Sequence, residues 1–411
     1  MLKIFLFAAT VSFFSSCATY QFKIQPARDH LVAGRCQPAL EILEKLSAEK
    51  NRDQLVYLMD YGSALQTCGD YKNSNLIFLK AESLADELDY HSMTNVAAST
   101  LLSEEMVQYK GDTFEKLFIN VSLALNFIQL GQNDSAMVEV RKINNKFQKY
   151  QGDDKKPFEL NAFAQYLAGL IYESDRKYDD ACISYKDAYF LDENYRSVAR
   201  DMLRSCWKAQ RVDEFNTLVK KIKATEDEIT YAKSKFKSEI ILVLMQGWGP
   251  RKYPRPDAPL YPRLISVSSL THSLQVERVQ SGVAEIYESE PVYSFESAAI
   301  KTLDADYNSL VARRVGGRVA KHVMADQIRQ KNEALGAIAL ITMIASDRAD
   351  LRQWSLYPRT MHVLKIPVKP GQHEFKLSGI DANKKVSETL SNLNIQIGQN
   401  QNKIYLLRTL K

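Results

Sequence analysis

The chain has 411 residues, of which 45% are hydrophobic and 25% charged, a composition typical of a folded protein and not of a disordered or fibrous one. At about 100–200 residues per domain, this length predicts two or three domains. The body contains no apolar run of the ~20 residues that a membrane-spanning helix needs, and a net charge of +5 is too small to indicate nucleic-acid binding.

The first sixteen residues have the order of a secretory signal peptide. Lys3 precedes an apolar stretch, and two serines follow that stretch immediately before Cys17. A cysteine after small residues resembles a bacterial lipobox, which predicts cleavage after residue 16, acylation of Cys17 and a tether over 17–28. Ala18 after the cysteine favours the outer membrane, by analogy with enteric bacteria. The alternative is an ordinary signal peptide followed by a chance cysteine.

Four further cysteines leave their redox state open. In an exported protein disulfides are allowed, and neighbouring helical repeats could bring together Cys36 with Cys68 and Cys182 with Cys206. The alternative is four small buried thiols. None of the cysteines has a C-x-x-C or histidine-partnered spacing, so the sequence predicts no metal site and no cofactor.

Three segments of the first half share a pattern of small and aromatic residues. They are Leu58–Ala81, Leu123–Ile143 and Ala168–Ala188. Small residues such as Gly62 and Gly169 suit close helix crossings, and aromatic residues such as Phe78 and Tyr185 fill the gap to the next helical hairpin. The pattern resembles the tetratricopeptide repeat. With looser matches on either side, it predicts an all-α solenoid over 29–235.

The first helix of each repeat is expected to line the concave face of this solenoid, the surface with which such proteins usually bind peptides. The predicted lining is Met59, Ser63, Gln66, Val121, Leu125, Ile128, Phe163, Tyr166, Leu170 and Glu173. This lining is unusually apolar for a solvated groove. Either the chain's own helices or second domain fill it, or a partner helix docks there through apolar anchors.

The pattern changes near residue 236. Residues 239–245 form a β-branched apolar run that predicts a buried strand, and a proline-rich stretch follows. Alternating residues after position 360 predict strands with one buried face, whereas 294–333 has a helical stripe. The sequence therefore predicts a smaller α+β domain over 236–411, an antiparallel sheet or sandwich that encloses a helical insertion. The apolar run 334–345 is expected to be a buried helix, and Gly316-Gly317 a helix-packing notch.

One polar and aromatic cluster in this half could form a site. Arg352 could be a carboxylate- or phosphate-binding fork with Trp354 as a stacking platform, and Asp350 and Arg251 complete the candidate site. The alternative is a structural cluster in which Asp350 pairs with Arg352 and Trp354 packs the domain. No histidine pair, nucleophile motif or phosphate-binding loop accompanies the cluster, so the sequence indicates a protein without catalytic activity.

Several motifs together resemble a family of exported bacterial lipoproteins that carry tetratricopeptide-like repeats. The matching residues are Cys17, Tyr109–Glu115, Ala136–Arg141, Gly247–Lys252 and Ala349–Pro358. The resemblance spans nearly the whole processed chain. It implies a location in the cell envelope and no assigned catalysis.

These observations lead us to expect a lipid-anchored scaffold on the periplasmic face of the outer membrane that binds other envelope proteins. Residues 236–411 carry 24 basic and 16 acidic residues, a balance that also suits an anionic wall polymer such as peptidoglycan or a surface polysaccharide. Two alternatives remain. One is a regulator of an envelope machine, for peptidoglycan synthesis or surface export; the other is a glycan-binding or glycan-hydrolysing second domain, which would need paired carboxylates.

Overall fold

The computed structural model describes residues 20–92, 107–153, 155–235, 238–280, 283–333, 335–337 and 348–411. The predicted signal peptide and Cys17 fall outside these ranges, and so do residues 334 and 338–345 of the apolar run. Leu335, which the apolar run includes, is exposed. No helix among the residues just given is long and apolar enough to cross a membrane.

The first half is helical. Its helices are α1 (Tyr20–Val32), α2 (Cys36–Ala48), α3 (Gln54–Thr67), α4 (Tyr71–Ser92), α5 (Thr113–Gln129), α6 (Asn133–Gly152), α7 (Ala162–Ser174), α8 (Tyr178–Leu191), α9 (Arg196–Lys208), α10 (Val212–Lys221) and α11 (Glu226–Lys233), with a short 3-10 helix at Pro157–Glu159. Helices α1 to α10 pair in sequence as five hairpins, and successive hairpins stack through a continuous apolar core. The predicted tetratricopeptide-like solenoid is therefore confirmed.

The small residues lie where the sequence predicts close helix crossings. A Cβ atom added to Gly62 would lie 2.9 Å from the ring of Phe78, and one added to Gly169 would lie 2.5 Å from the ring of Tyr185. Both glycines lie on the first helix of a hairpin and both rings on the second. A larger side chain at either position would force the two helices apart.

Residues 20–28, predicted as part of a flexible tether, are helical. Tyr20, Ile24, Ala27 and Leu31 are buried at the spacing of one helix face, so α1 packs into the protein from its first residue. The solenoid thus begins at least nine residues earlier than the sequence analysis placed it.

Both cysteine pairings that the sequence left open are disulfide bonds. Cys36–Cys68 joins the start of α2 to the end of α3, with Cα atoms 5.9 Å apart. Cys182–Cys206 joins α8 to α9, with Cα atoms 4.8 Å apart. Each bridge connects neighbouring hairpins, so it restrains the stacking of the solenoid.

The second half is rich in strands. They are β1 (Ser238–Gln246), β2 (Arg251–Pro254), β3 (Pro262–Ile265), β4 (Ser273–Gln280), β5 (Val283–Glu288), β6 (Glu290–Ser294), β7 (Thr360–Val368), β8 (Gly371–Ile380), β9 (Val386–Thr389), β10 (Leu393–Ile397) and β11 (Asn402–Thr409). One sheet has the order β11-β1-β7-β6, and a second has β10-β8-β4-β5 with β9 beside β8. All pairings are antiparallel except β1 with β11, which are parallel. The predicted α+β domain with a sandwich is confirmed, and the helical insertion is α12 (Phe295–Lys331).

Strand β1 separates two apolar cores. Ile240, Leu242 and Leu244 face the second sheet, whereas Ile241 and Val243 face the solenoid. All nine residues of β1 are buried, which explains why its central residues, 240–245, are continuously apolar instead of alternating. The molecule thus has three layers: helices, the first sheet and the second sheet.

Candidate protein-binding groove

The ten residues predicted to line the concave face lie on α3, α5 and α7, the first helices of three hairpins. Nine of them are buried, and Ile128 is partly exposed. The first sheet and residues 350–358, which we call the inserted segment, cover the groove: Trp354 contacts Ser63 of α3, and Lys365 of β7 contacts Glu173 of α7. Of the two alternatives that the sequence left open, the structure shows the groove filled by the chain itself.

Trp354 anchors the inserted segment in the groove. Its side chain is completely buried, and its ring centroid lies 5.8 Å from that of Phe78 and 5.3 Å from that of Phe118. The indole Nε1 donates a hydrogen bond of 2.9 Å to Oγ of Ser63, one of the predicted lining residues. Trp354 therefore packs against the solenoid and is closed to a ligand.

Two buried carboxylates hold the backbone of the inserted segment. Asp60 Oδ1 accepts hydrogen bonds from the N–H groups of Ser355 (2.9 Å) and Leu356 (3.0 Å). Glu115 Oε1 accepts one from the N–H of Trp354 at 3.0 Å. These carboxylates accept hydrogen bonds from main-chain N–H groups, so the groove holds this stretch largely through its backbone.

Burial raises the pKa values of both carboxylates. It raises the pKa of Asp60 to about 7, although hydrogen bonds from Tyr20 and from the inserted segment oppose the shift. Burial and the neighbouring Asp112 likewise raise the pKa of Glu115 to about 7. The second oxygen of Glu115 accepts hydrogen bonds from Tyr109 Oη (2.6 Å) and from the N–H of Asp112 (2.9 Å), which begins α5 as part of a capping box.

Arg352, the predicted anion-binding fork, binds carboxylates of this chain. Arg352 donates to Asp350 from Nε (2.9 Å) and Nη2 (2.8 Å), and to Asp53 of the solenoid from Nη1 (3.1 Å). Arg251 donates to the side chains of Gln21 and Gln25 on α1. The structural alternative is therefore the one observed, except that the cluster joins the two domains and does not stabilise the second alone.

Glu173 and Tyr166, predicted to face a partner, belong to a buried ionic network. Glu173 accepts from Arg204 Nη2 at 2.7 Å and from Lys365 Nζ at 2.8 Å, and Lys365 Nζ lies 2.9 Å from Asp201. Tyr166 Oη donates to Asp201 at 2.5 Å. Burial alone raises the pKa of Glu173, but Arg204 and Lys365 outweigh it and hold that pKa well below the ordinary value. The network connects the solenoid with β1 and β7.

A cavity of about 630 Å³ lies where the groove meets the edge of the first sheet. Its apolar lining includes Ile128, Met137 and Ile171, and its polar lining includes residues 401–403 at the start of β11 together with Asp134, Arg141, Asp175 and Lys177. Gln129 already uses part of this edge, because its side-chain amide donates to the carbonyl of Ile404 (3.2 Å) and accepts from the N–H of Leu406 (3.2 Å).

The remaining edge of β11 faces this cavity. The carbonyls of Gln401 and Thr409 accept hydrogen bonds from the β1 side, from Glu239 (3.2 Å) and Gly247 (3.0 Å), so odd-numbered residues of β11 pair with β1. Because backbone direction alternates along a strand, the N–H and C=O of Asn402 point away from β1. They are placed to pair with an additional extended peptide.

The structure offers one weak arrangement of metal-ligand residues within the ranges that it describes. Cys182, Cys206 and Glu214 come within 4.8 Å of one another, but the two sulfur atoms are bonded to each other. A disulfide supplies no thiolate, so these residues do not fit a metal ion.

The residues that hold the inserted segment were missed by the sequence analysis. Asp60 interrupts an otherwise apolar helical stretch, and Glu115 stands three residues after Asp112 as a capping box requires. Those two signals were present, but only the fold shows that both carboxylates turn towards Trp354. Gln129 carries no distinctive sequence signal, because its function depends on the distant strand β11.

No protein-family model and no curated protein matches the chain. Among solved structures, the chain is similar over 49% of its length to MamA of strain AMB-1, at 19% identity and a TM-score of 0.31, covering 96% of that chain. MamA from Desulfovibrio magneticus RS-1 is similar over 52% of this chain and 97% of its own, at 14% identity and a TM-score of 0.32. A kinesin light chain from Podosopora anserina with TPR-like repeats is similar over 52% of this chain and 96% of its own, at 12% identity and a TM-score of 0.33.

Proposed function

We propose that the protein is a lipid-anchored scaffold of a bacterial cell envelope that binds partner proteins through its helical repeats. The observation that carries this proposal is the groove itself. Asp60 and Glu115 hold three consecutive N–H groups of the inserted segment, in which residues 355–356 form a turn, and Ser63 holds the indole of Trp354. A solenoid that binds the backbone of a segment of its own chain in this way has the chemistry of a peptide-binding surface.

The cavity beside β11 is the proposed point of entry for a partner. The concave face is occupied, so an extended segment of a partner pairs with the outward-facing groups of Asn402, and its apolar side chains enter the space lined by Ile128, Met137 and Ile171. Strand addition of this kind uses main-chain hydrogen bonds for affinity and the cavity for specificity.

Two features support the location in the envelope. Disulfides persist in oxidising compartments and are rare in the bacterial cytoplasm, and this chain has two. Cys17 stands where a lipobox places the acylated residue, and several acyl chains at ~0.8 kcal/mol per buried CH₂ would give stable anchoring. Intact-mass analysis of the protein purified from membranes tests the anchor. We expect a chain that begins at Cys17 and carries acyl mass, and a chain that begins elsewhere without it would refute the anchor.

Site-directed photo-crosslinking in cells tests the scaffold. A photoreactive amino acid replaces Val138, which lines the cavity and is 45% exposed. The matched control carries the same amino acid at Ile183, which is 41% exposed on α8. We expect one or more protein adducts specific to position 138, identified by mass spectrometry. Adducts at neither position above background would contradict the scaffold, whereas equal adducts at both would contradict the cavity as the point of entry.

A further inference from the structure

The distal half of α12 presents an apolar face to solvent. Near its beginning the helix packs against the body of the protein through Phe295, Ala298 and Thr302, which are buried. Beyond residue 311, Val315, Val319 and Val323 are each more than half exposed. A spacing of four residues places them on one side of the helix, which we call the valine face. Exposed hydrophobic residues are common singly, but an aligned series suggests a contact surface.

The opposite side of the helix is the one that meets the rest of the chain. Arg314 Nη2 donates to the carbonyl of Arg348 at 2.8 Å, where the chain returns to the body. Ala325 is buried, and Gly336 packs closely against Arg329. A Cβ atom added to Gly316 would meet nothing within 4 Å, so this glycine is not the helix-packing notch that the sequence predicts. Among the described residues, the contacts of this half of the helix thus lie on the side away from the valine face.

Local propensity does not explain these residues. Valine and glycine form exposed helix poorly compared with alanine or lysine, so their presence here lowers helix stability. A surface that retains aligned valines at such a cost is better explained by a binding partner than by the fold.

The charge of this part of the helix indicates what that partner is. Residues 311–331 contain six lysines and arginines and one acidic residue, Asp326. A second copy of the same helix would bring like charges together, which disfavours self-association. An anionic partner complements the charge, and a partner with an apolar interior beneath its charged surface also accommodates the valines.

We propose that the valine face of α12 binds the surface of an anionic lipid bilayer. The helix lies in the plane of the interface with its valines at the acyl boundary, and the net positive charge of 311–331 attracts the anionic headgroups. A soluble polyanion such as a wall polysaccharide matches the charge and leaves the valines without a role. The contact does not require acylation of Cys17, and it would turn a defined side of the second domain towards the membrane.

Hydrogen exchange of the full-length chain, measured by mass spectrometry, tests this contact locally. The probes are vesicles of phosphatidylglycerol with phosphatidylethanolamine, neutral vesicles of phosphatidylcholine, and dextran sulfate as a soluble polyanion. We expect the anionic vesicles to slow exchange in 311–331 at least fivefold and the other two probes to leave it unchanged. Because the readout is local, anchoring at the amino terminus does not affect it.

Two matched variants distinguish the valine face from general surface binding. Val319→Glu places a carboxylate on this face, and Val386→Glu makes the same change on β9; both valines are 59% exposed in the protein. We expect V319E to abolish the protection by anionic vesicles and V386E to retain it. Absence of protection in the parent chain, equal protection by neutral vesicles or dextran sulfate, or equal behaviour of the two variants would each overturn the proposal.

Discussion

Replacing Trp354 with alanine tests whether the inserted segment holds the two domains together. The indole is fully buried between the rings of Phe78 and Phe118. Truncating a buried Trp to Ala typically costs about 3–5 kcal/mol, through lost burial and the cavity left behind. The hydrogen bond from Nε1 to Ser63 contributes about 1 kcal/mol of that total. We therefore expect W354A to lower the free energy of unfolding by about 3–5 kcal/mol.

Equilibrium unfolding in urea gives the free energy, and limited proteolysis reports whether residues 350–358 leave the groove. The control is Trp207→Ala, because Trp207 packs on Phe215 at a ring distance of 5.1 Å in the solenoid, away from the groove. We expect W207A to lower stability while the inserted segment stays protected, and W354A to expose it. A double-mutant cycle of W354F with S63A should give a coupling of about 1 kcal/mol. A loss below about 1 kcal/mol in W354A, or cleavage identical to that of W207A, would refute the docking described here.

Three further measurements follow from the buried groups. Burial raises the pKa of Asp60 to about 7, so the folded chain retains a proton that the unfolded chain releases. As the pH rises from 4 to 8, the free energy of unfolding of the parent chain should therefore fall by up to about 4 kcal/mol relative to that of D60N. Parallel pH profiles of the two proteins would contradict this. Burial lowers the pKa of His362 to about 4, so protons bind preferentially to the unfolded chain below pH 6.5. Acidification from pH 6.5 to 4 should therefore destabilise the parent chain by about 3 kcal/mol more than H362Q. An equal loss of stability in both proteins would count against this prediction. The Cys36–Cys68 disulfide closes a loop with a sequence separation of 32 residues. The free energy of unfolding of the C36S/C68S variant, measured in urea, should therefore be lower by about 3–4 kcal/mol. An unchanged midpoint would show that this bond does not restrain the unfolded chain.

The helical hairpins were predictable because their determinants are local. Gly62 and Phe78 belong to one hairpin, as do Gly169 and Tyr185, so a short stretch of sequence contains both halves of each contact. Strand β1 was predictable for a similar reason, since its apolar run is continuous. The start of the solenoid was placed too late, because the face of α1 is completed by residues of the second domain such as Ser355, which Tyr20 contacts at 3.0 Å.

The contents of the groove were not predictable, because they depend on contacts between distant parts of the chain. Sequence spacing placed Ser63 and Glu173 on the concave side but could not show that Trp354 and Lys365 would meet them. The parallel pairing of β1 with β11 joins the beginning of the second domain to its end, and no local pattern specifies it. Asp350 and Arg352 were correctly paired, since they are two residues apart, whereas Asp53 was not foreseen as a partner.

The three-layer arrangement has a consequence for the order in which the protein folds. The solenoid helices leave the ribosome well before the strands that cover their apolar inner side. During that interval Asp60 and Glu115 lack the N–H groups of the inserted segment as hydrogen-bond donors, and the helices expose apolar surface to other proteins. A nascent chain of this design depends on a holding chaperone or on rapid completion of synthesis, and a truncation before Trp354 would leave an aggregation-prone stack of helices in place of a smaller functional unit.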